Sequence, residues 1–178
     1  MDHGHCKVRQ TLTMATTHNT NAVTEPVLYM ERSRLYYEAQ GFSKAYQYAH
    51  FTDTPFAKLP KPLEQCTLGL VTTASTYRRA NLEPRKIDSG STIQPPDTLY
   101  TDDLSWDKEA THTDDINSYC PITHLQALAA DGVIGALAPR FHCAATEYSQ
   151  RITLEKDAPE ILRRLREDQV DIALLVPL

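Results

Sequence analysis

The stretch TLGLVTT, residues 67–73, decides the fold. Apolar and β-branched side chains occupy both of its alternating sides, which is typical of a strand that is covered on both faces. Such strands lie in parallel sheets, because the helices that connect parallel strands cover the two faces. We therefore predict a central parallel strand at 67–73. The polar segment that follows, 74–110, is predicted to be a loop at the end of that strand.

Two further strands are predicted downstream. The run VIGALA, 133–138, is short and apolar, and APRFHC, 138–143, is predicted to continue from it as a loop. The run VDIALLV, 170–176, is apolar on both faces and is predicted to be another central strand. No helix follows that strand in the sequence, so we expect the sheet to be incomplete at its C-terminal side.

Helices are predicted between these strands. Pro121 suits a first helical turn, where its missing N–H is not needed, and Asp131-Gly132 ends this helix. The apolar stripe of the helix comprises Ile122, Leu125, Leu128 and Ala129. A second helix is predicted to begin at Asp157, which with Glu160 forms a pattern like a capping box. Its buried stripe comprises Ile161, Leu162 and Leu165.

The alternation of strands and helices predicts an α/β fold. We expect layers in the order αβα around a mostly parallel sheet, a Rossmann-like topology, and assign this domain to 67–178. Residues 25–66 are predicted to form an extended arm with a short helix at 31–40 that ends at Gly41. Residues 1–24 have few large apolar side chains and are predicted to be a disordered leader.

Composition excludes several classes of partner and site. The net charge of −5, with lysines and arginines scattered along the chain, disfavours nucleic-acid binding. The longest apolar run, 172–178, is far shorter than the roughly 20 residues that cross a bilayer, and no signal peptide is recognisable. We therefore predict a cytoplasmic protein, whose four cysteines are free thiols without a Cys-x-x-Cys pair. No dinucleotide-binding, P-loop or hydrolase motif is present.

The first candidate catalytic cluster is THTDD, 111–115. A carboxylate such as that of Asp115 is able to orient the imidazole of His112 for proton transfer. Threonine and aspartate residues before a helix also serve as caps, and both interpretations stay open for this cluster.

The second candidate cluster comprises Arg140, His142 and Cys143. A guanidinium at Arg140 suits a substrate carboxylate, and His142 is able to lower the pKa of the Cys143 thiol. Adjacent side chains on an extended segment point in opposite directions, so His142 and Cys143 share one site only if the backbone turns there. The alternative is a half-buried histidine beside a packed cysteine.

Three hydroxyl side chains follow the first strand. Thr72, Thr73 and Ser75 are candidate substrate-binding residues, because ligands of open α/β sheets bind at the carboxyl ends of the strands. Hydroxyls at strand ends also stabilise turns, which is the alternative. A weaker hypothesis makes His112, Asp115 and His142 metal ligands, but their spacing does not favour it and we predict no metal site.

As a string, the chain resembles a known family of reductases. The similar segments are YMERSRLYYEAQGF (29–42), AHFTDTPF (49–56), LGLVTTA (68–74), DDLSWDKEATHTDD (102–115), LQALAADGVIGALAPRFH (125–142) and DAPEILRRLREDQVDIALLVPL (157–178). In this order they resemble the selenoprotein B family of glycine, sarcosine, betaine and D-proline reductases. The resemblance covers residues 25–178, and the combination of segments is more specific than any one of them.

The resemblance implies an activity. Members of this family bind a small amino acid, or its N-methylated form, and cleave its carbon–nitrogen bond reductively. A selenocysteine or cysteine attacks carbon and expels the amine, a role that suits a nucleophile with a low pKa. The family implies no cofactor within this chain itself. A pyruvoyl group on a partner subunit and a thioredoxin-like reductant are the partners that it implies.

In the family the nucleophile follows directly after a strand like VDIALLVPL, so we expect it beyond Leu178. A UGA codon for selenocysteine, read as a stop, would end the chain here, and the DNA after the Leu178 codon tests this expectation. The alternative is a non-catalytic subunit that binds a small ligand while another chain supplies the nucleophile. If the chain ends at Leu178, we expect the apolar strand 170–178 to need a protein partner and the isolated chain to aggregate or to form homo-oligomers.

Overall fold

The computed structural model describes residues 28–42, 44, 48–78, 86–101, 112–144 and 149–178, and the chain divides into the units Met1–His50 and Phe51–Leu178. In the first unit, helix α1 spans Tyr29–Ala39 and carries surface ion pairs of Arg34. Gly41 follows with a φ of 89°, a left-handed conformation that suits glycine just after a helix. The predicted short helix is therefore confirmed, whereas the predicted leader at 1–24 lies outside the described residues.

A four-stranded sheet organises the second unit. Its strands are β1 (Thr67–Thr72), β2 (Asp88–Ser91), β3 (Ala136–Cys143) and β4 (Ile172–Val176), in the order β2-β3-β1-β4. Strand β1 runs parallel to both of its neighbours, β3 and β4, whereas β2 is antiparallel to β3. The predicted central strand is confirmed, since β1 is buried from its second residue onward.

Helix α2, Ile122–Ala130, covers one face of the sheet. Its buried residues Ile122 and Leu125 pack with Leu68, Leu70 and other core side chains of the strands. Gly132 ends the helix with a φ of 72°, as predicted. The predicted stripe is confirmed at Ala129, which packs against the core, and is wrong at Leu128, which is 38% exposed.

A longer helical segment covers the opposite face. It comprises α3 (Gln150–Ile152), a π-helical turn (Thr153–Asp157) and α4 (Ala158–Glu167). The segment lies close to β1 at Gly69, where a Cβ atom would be only 2.6 Å from the Leu165 Cδ2 atom. Helices on both faces of a mostly parallel sheet give the predicted α/β class with αβα layers.

The second helix begins earlier than its sequence indicates. Ser149 is its N-cap, with a side-chain oxygen that accepts a hydrogen bond from the Ile152 N–H at 3.3 Å. Asp157, the predicted cap, has helical backbone angles and its side chain caps nothing. The π-helical turn directly before Pro159 accommodates a residue that lacks an N–H, so the proline does not break the helix. In the predicted stripe Leu165 is buried, whereas Leu162 is 46% exposed.

Several predictions about strands were wrong. Strand β3 begins at Ala136 rather than at Val133, which is exposed, and it continues through the segment 138–143 that was predicted as loop. Strand β2 lies within the predicted loop 74–110. Its sequence, DSGS, is polar and contains glycine, and it forms an edge strand because Gly90 leaves room for the ring of Phe141.

Strand β4 lies at the edge of the sheet, next to β1 alone among the described strands. The prediction of a central position is therefore wrong for this sheet. Leu174 and Leu175 are 37% and 68% exposed, so both faces of the strand are incompletely covered. Within the described residues, no helix has the length and apolar character needed to span a membrane.

Candidate functional site

The three parallel strands end together at one edge of the sheet. Strands β1, β3 and β4 end at Thr72, Cys143 and Val176, which are aligned by the pairing of β1 with its two neighbours. A pocket of about 610 Å³ opens here, between the strand ends and the helical segment Thr153–Leu165 that follows β3. The carboxyl ends of parallel strands are where open α/β sheets bind ligands. This strand-end pocket is therefore a candidate ligand site in the described part of the chain.

The hydroxyls that were predicted to bind substrate lie in and near this pocket. Thr72 and Thr73 line it, whereas Ser75 is not part of its wall. The Thr73 hydroxyl oxygen accepts a 2.8 Å hydrogen bond from the Leu178 N–H, which leaves its own hydrogen available to a ligand. Ser75 instead pairs with Tyr100 through two 2.8 Å backbone hydrogen bonds, and its hydroxyl stabilises the local turn.

The remaining wall of the strand-end pocket is mainly apolar. Ile161, Leu162 and Leu165 contribute from α4, and Leu175 and Leu178 contribute from the last strand and its extension. Asp157 also lines the pocket and is only 8% exposed. It is the one ionisable side chain among the lining residues.

Arg140 and His142 belong to a polar network beneath α4. The Arg140 Nε donates to Asp168 Oδ2 at 2.9 Å, and its Nη2 donates to Asp168 Oδ1 at 2.9 Å. These two bonds join β3 to the C-terminal end of α4. The guanidinium that was predicted to hold a substrate carboxylate therefore holds a carboxylate of the protein.

The ring of His142 is fully buried in the same network. Its Nδ1 lies 2.8 Å from the Ser89 hydroxyl oxygen, which accepts a 2.7 Å hydrogen bond from Arg164 Nη1. The Ser89 hydroxyl is able to donate to Nδ1, with the proton of the neutral ring on Nε2, or to accept from an Nδ1–H with its second lone pair. The Nε2 atom lies 3.9 Å from Asp168 Oδ2, too far for a hydrogen bond.

Burial makes His142 a source of pH-dependent stability. The pKa of the ring is lowered from 6.5, chiefly by burial and then by Arg140, against the opposing effect of Asp168. As the pH falls below about 6.5, the unfolded chain binds a proton at this site before the folded chain does. We therefore expect the free energy of unfolding to decrease below that pH, by up to about 1.4 kcal/mol per pH unit.

Urea denaturation between about pH 7 and pH 5 measures this dependence. In His142→Gln the free energy of unfolding is expected to change less with pH, because the titrating ring is absent. The glutamine amide is still able to accept a hydrogen bond from Ser89. His112→Gln is the matched control, since the His112 side chain is 74% exposed. The same pH dependence in His142→Gln as in the unmodified protein would contradict the role of His142.

Cys143 lies apart from His142. The two residues are consecutive in β3, so their side chains point to opposite faces of the sheet, and Cys143 packs in the core with Phe141. Burial raises the pKa of the Cys143 thiol to about 12, with a further contribution from Asp88. The expected lowering of that pKa by His142 does not occur, because the backbone does not turn between the two residues.

The described part of the first candidate cluster, residues 112–115, is a largely exposed segment. Asp115 caps the 3₁₀ helix Ile116–Ser118, where its Oδ1 accepts a 3.0 Å hydrogen bond from the Asn117 N–H. The His112 Nδ1 lies 3.4 Å from a carboxylate oxygen of Asp114, and both side chains are largely exposed. Thr111 lies outside the described residues. The structure therefore shows the capping role of Asp115, in a place separate from the strand-end pocket lining.

A second pocket, of about 470 Å³, lies on the other side of the helical segment. Lys86, Lys156 and Arg164 give it positive charge, and Glu160 contributes a carboxylate. Hydrogen bonds from Arg163 and Arg164 lower the pKa of Glu160 to about 2, so this carboxylate is ionised and paired. The cations of this pocket are thus partly neutralised by the protein itself.

The described residues contain no assembled metal-binding site. No group of three or more histidine, cysteine, aspartate or glutamate side chains there is placed to hold one ion. The weaker hypothesis named three metal ligands, and the structure gives each a different position. The His112 ring is exposed, Asp115 caps a 3₁₀ helix, and the His142 ring is buried.

Sequence reasoning missed several residues of the site and of its support. Asp157 was interpreted as a helix cap, and Ser89 and Asp168 had no assigned role. The signal for Asp157 was Pro159 two positions later, since a proline inside a helix requires an irregular turn. Comparisons of the chain with protein-family models, with curated proteins and with solved structures found no match.

Proposed function

We propose that this chain is part of a selenocysteine- or cysteine-dependent reductase that cleaves the carbon–nitrogen bond of a small amino acid or N-methylated amino acid. One observation carries the proposal: the strand-end pocket opens at the carboxyl ends of β1, β3 and β4. The family resemblance puts the nucleophile directly after the strand that corresponds to β4. A nucleophile in that position would face the same pocket, beside Thr73 and Leu178.

The chemistry requires two electrons and one nucleophile. The selenolate or thiolate attacks the carbon that bears nitrogen, the carbon–nitrogen bond breaks, and the amine leaves with the bonding electron pair. A dithiol then supplies the two electrons and becomes a disulfide. The carbon fragment leaves the nucleophile and takes up a proton. Under the proposal a thioredoxin-like protein supplies the dithiol, and a pyruvoyl-bearing partner activates substrates that carry a primary amine.

The described cysteines favour a nucleophile from elsewhere. Cys66, Cys120 and Cys143 are buried, and burial raises the pKa of Cys120 and Cys143 to about 12. A thiol with so high a pKa is protonated near neutral pH and is a poor nucleophile. This observation also supports the alternative function, a non-catalytic subunit whose pocket binds the substrate while another chain supplies the nucleophile.

An assay of amine release tests the proposal. Protein that carries this sequence is purified from the cells that produce it and is incubated with dithiothreitol and glycine, sarcosine, betaine or D-proline. The expected result is loss of dithiol together with an equal amount of the cleaved product from at least one of the four. Mass spectrometry of the same sample identifies any selenium or cysteine after Leu178.

The outcomes separate the two functions. Cleavage by protein that contains a selenocysteine or cysteine after Leu178 supports the catalytic subunit. Cleavage that starts only when a second purified chain is added, while this chain has no such residue, supports the binding subunit. Absence of cleavage with all four compounds, with and without co-purified partners, would overturn both.

A further inference from the structure

An exposed aromatic arm precedes β1. It comprises residues 51–62, FTDTPFAKLPKP, which form neither a helix nor a strand and are exposed along almost their whole length. The ring of Phe56 is 96% exposed, and the ring of Phe51 is 75% exposed. Water is a poor environment for an aromatic ring, so rings that project from a segment of chain in this way indicate a surface that contacts another molecule.

Prolines restrict the conformation of the aromatic arm. Pro55, Pro60 and Pro62 each fix the backbone φ near −65°. A segment that is restricted before it docks loses less conformational entropy on binding, which is why proline-rich segments are frequent ligands of apolar grooves. Phe56 follows Pro55 directly within the uncharged stretch TPFA, residues 54–57, so that burial of this stretch buries no charge.

The aromatic arm is fixed to the sheet at its C-terminal end. The Lys61 Nζ atom lies 2.8 Å from Asp171 Oδ2, just before β4, and the Lys61 carbonyl accepts a 3.4 Å hydrogen bond from the Cys66 thiol. These contacts hold the arm at the amino ends of β1 and β4, whereas the strand-end pocket opens at their carboxyl ends. Strand β1 is six residues long, so the two ends are about 17 Å apart. The residues that line the pocket include none from the arm.

The strand-end pocket has the properties of a receptor for an aromatic ring. Its wall is mainly apolar, and three leucines in that wall, Leu162, Leu175 and Leu178, are exposed. Its volume of about 610 Å³ lies within the range of about 300–1,000 Å³ that is typical for drug-sized ligands. An amino acid as small as glycine or betaine is much smaller than such a ligand and would leave a large part of the apolar wall uncovered.

We propose that two copies of this chain pair by exchanging their aromatic arms, with Phe56 of each copy in the strand-end pocket of the other. One chain carries both complementary surfaces, and a twofold symmetric pair buries both rings in both pockets at once. The inference goes beyond the proposed function, because it adds to the pocket an aromatic side chain from a second copy. That ring covers the apolar wall that a small substrate leaves uncovered, and it excludes water from the pocket.

Sedimentation equilibrium of the full chain measures the pairing. We expect a concentration-dependent dimer, and we expect Phe56→Ala to raise its dissociation constant by at least about thirtyfold, because each dimer loses two buried rings. Phe51→Ala is the matched control, since it removes the same ring from the same arm outside the TPFA stretch. It is expected to change the dissociation constant by less than about threefold. Both positions are exposed, so circular dichroism should show that both variants fold.

Two results of this measurement would overturn the inference. One is a chain that stays monomeric up to about 1 mM. The other is a dimer with the same dissociation constant in Phe56→Ala as in the unmodified chain, which is the result expected for pairing through the exposed edge of β4.

Photo-crosslinking identifies what Phe56 contacts. A ¹⁵N-labelled chain with p-benzoylphenylalanine in place of Phe56 is mixed with unlabelled, unmodified chain and irradiated. Mass spectrometry is expected to find the labelled arm joined to unlabelled peptides that contain Leu162, Leu175 or Leu178. Joining to labelled peptides alone would show a contact within one chain, and joining to unlabelled peptides from elsewhere would show a different surface. Either result counts against arm exchange.

Both experiments are independent of the reaction that the pocket supports. They use no substrate, so arm exchange is retained if the chain dimerises through Phe56 and cleaves none of the four amino compounds. The reductase is retained if a monomeric chain cleaves one of them.

Discussion

Replacement of Phe141 by alanine is expected to lower the free energy of unfolding by about 3–5 kcal/mol. The ring is fully buried in the core between the sheet and α2, where it packs with Leu70 and other side chains of that core. Loss of the ring removes its transfer free energy and leaves a cavity that the rigid strands cannot close. Chemical denaturation followed by circular dichroism measures this loss. The denaturant concentration at the midpoint should fall, while the dependence of the free energy of unfolding on denaturant concentration stays the same.

An exposed residue provides the control for Phe141→Ala. Ile93 is 74% exposed, so Ile93→Ala is expected to change the free energy of unfolding by less than about 0.5 kcal/mol. A cost of less than about 1 kcal/mol for Phe141→Ala would contradict the position of the ring in the core.

Gly90 provides a second and independent check on the Phe141 ring. A Cβ atom at Gly90 would lie 2.4 Å from Cε1 and Cζ of the ring, so Gly90→Ala should be destabilising. Its cost should be smaller by about 1 kcal/mol in a Phe141→Leu background, because the smaller side chain leaves room for the methyl group. Strictly additive costs would indicate that the two residues are not in contact.

Gly135→Ala is expected to destabilise the fold by about 3 kcal/mol. A Cβ atom there would lie 2.6 Å from the Gln65 carbonyl carbon and 2.9 Å from the N and O atoms of Cys66. These are backbone atoms just before β1, so no side-chain rotation relieves the overlap. Cys66 is itself fully buried, with a thiol that donates to the Lys61 and Pro62 carbonyls.

Gly132→Ala is the matched control for Gly135→Ala. No atom lies within 4 Å of the position of its added Cβ, so only its φ of 72° has a cost, of about 1 kcal/mol. Gly135→Ala should therefore unfold at a lower temperature and at a lower denaturant concentration than Gly132→Ala. Equal stabilities would show that the approach of Gly135 to Cys66 is not tight.

The parts of the fold that were predictable have strong local patterns. Strand β1 is apolar on both sides, and α2 combines a proline at its start with Gly132 after its end. The part of β3 from Pro139 onward was mistaken for a loop because Pro139 and Arg140 interrupt its apolar pattern. Arg140 is tolerated in a strand since Asp168, which is distant in sequence, neutralises it across the sheet–helix interface. Short-range patterns do not contain that partner.

The candidate site was predictable in its location but not in its composition. The rule that ligands bind at the carboxyl ends of parallel strands identified Thr72 and Thr73, and both line the strand-end pocket. Asp157 was not identified, because a carboxylate three positions before a glutamate has the pattern of a cap. The backbone shows otherwise, since the helix had already begun at Gln150.

The order of the strands also has a consequence for how the molecule folds. Strand β1 is the earliest strand in the described part of the chain, yet one of its two neighbours is β4, and the Thr67 N–H bonds to Asp171 across 104 positions. Contacts between such distant residues slow folding, because a large loop has to close before they form. During synthesis on the ribosome, β1 emerges long before β4 and has an unpaired side until β4 arrives. Completion of the sheet is therefore expected to be a late step of folding.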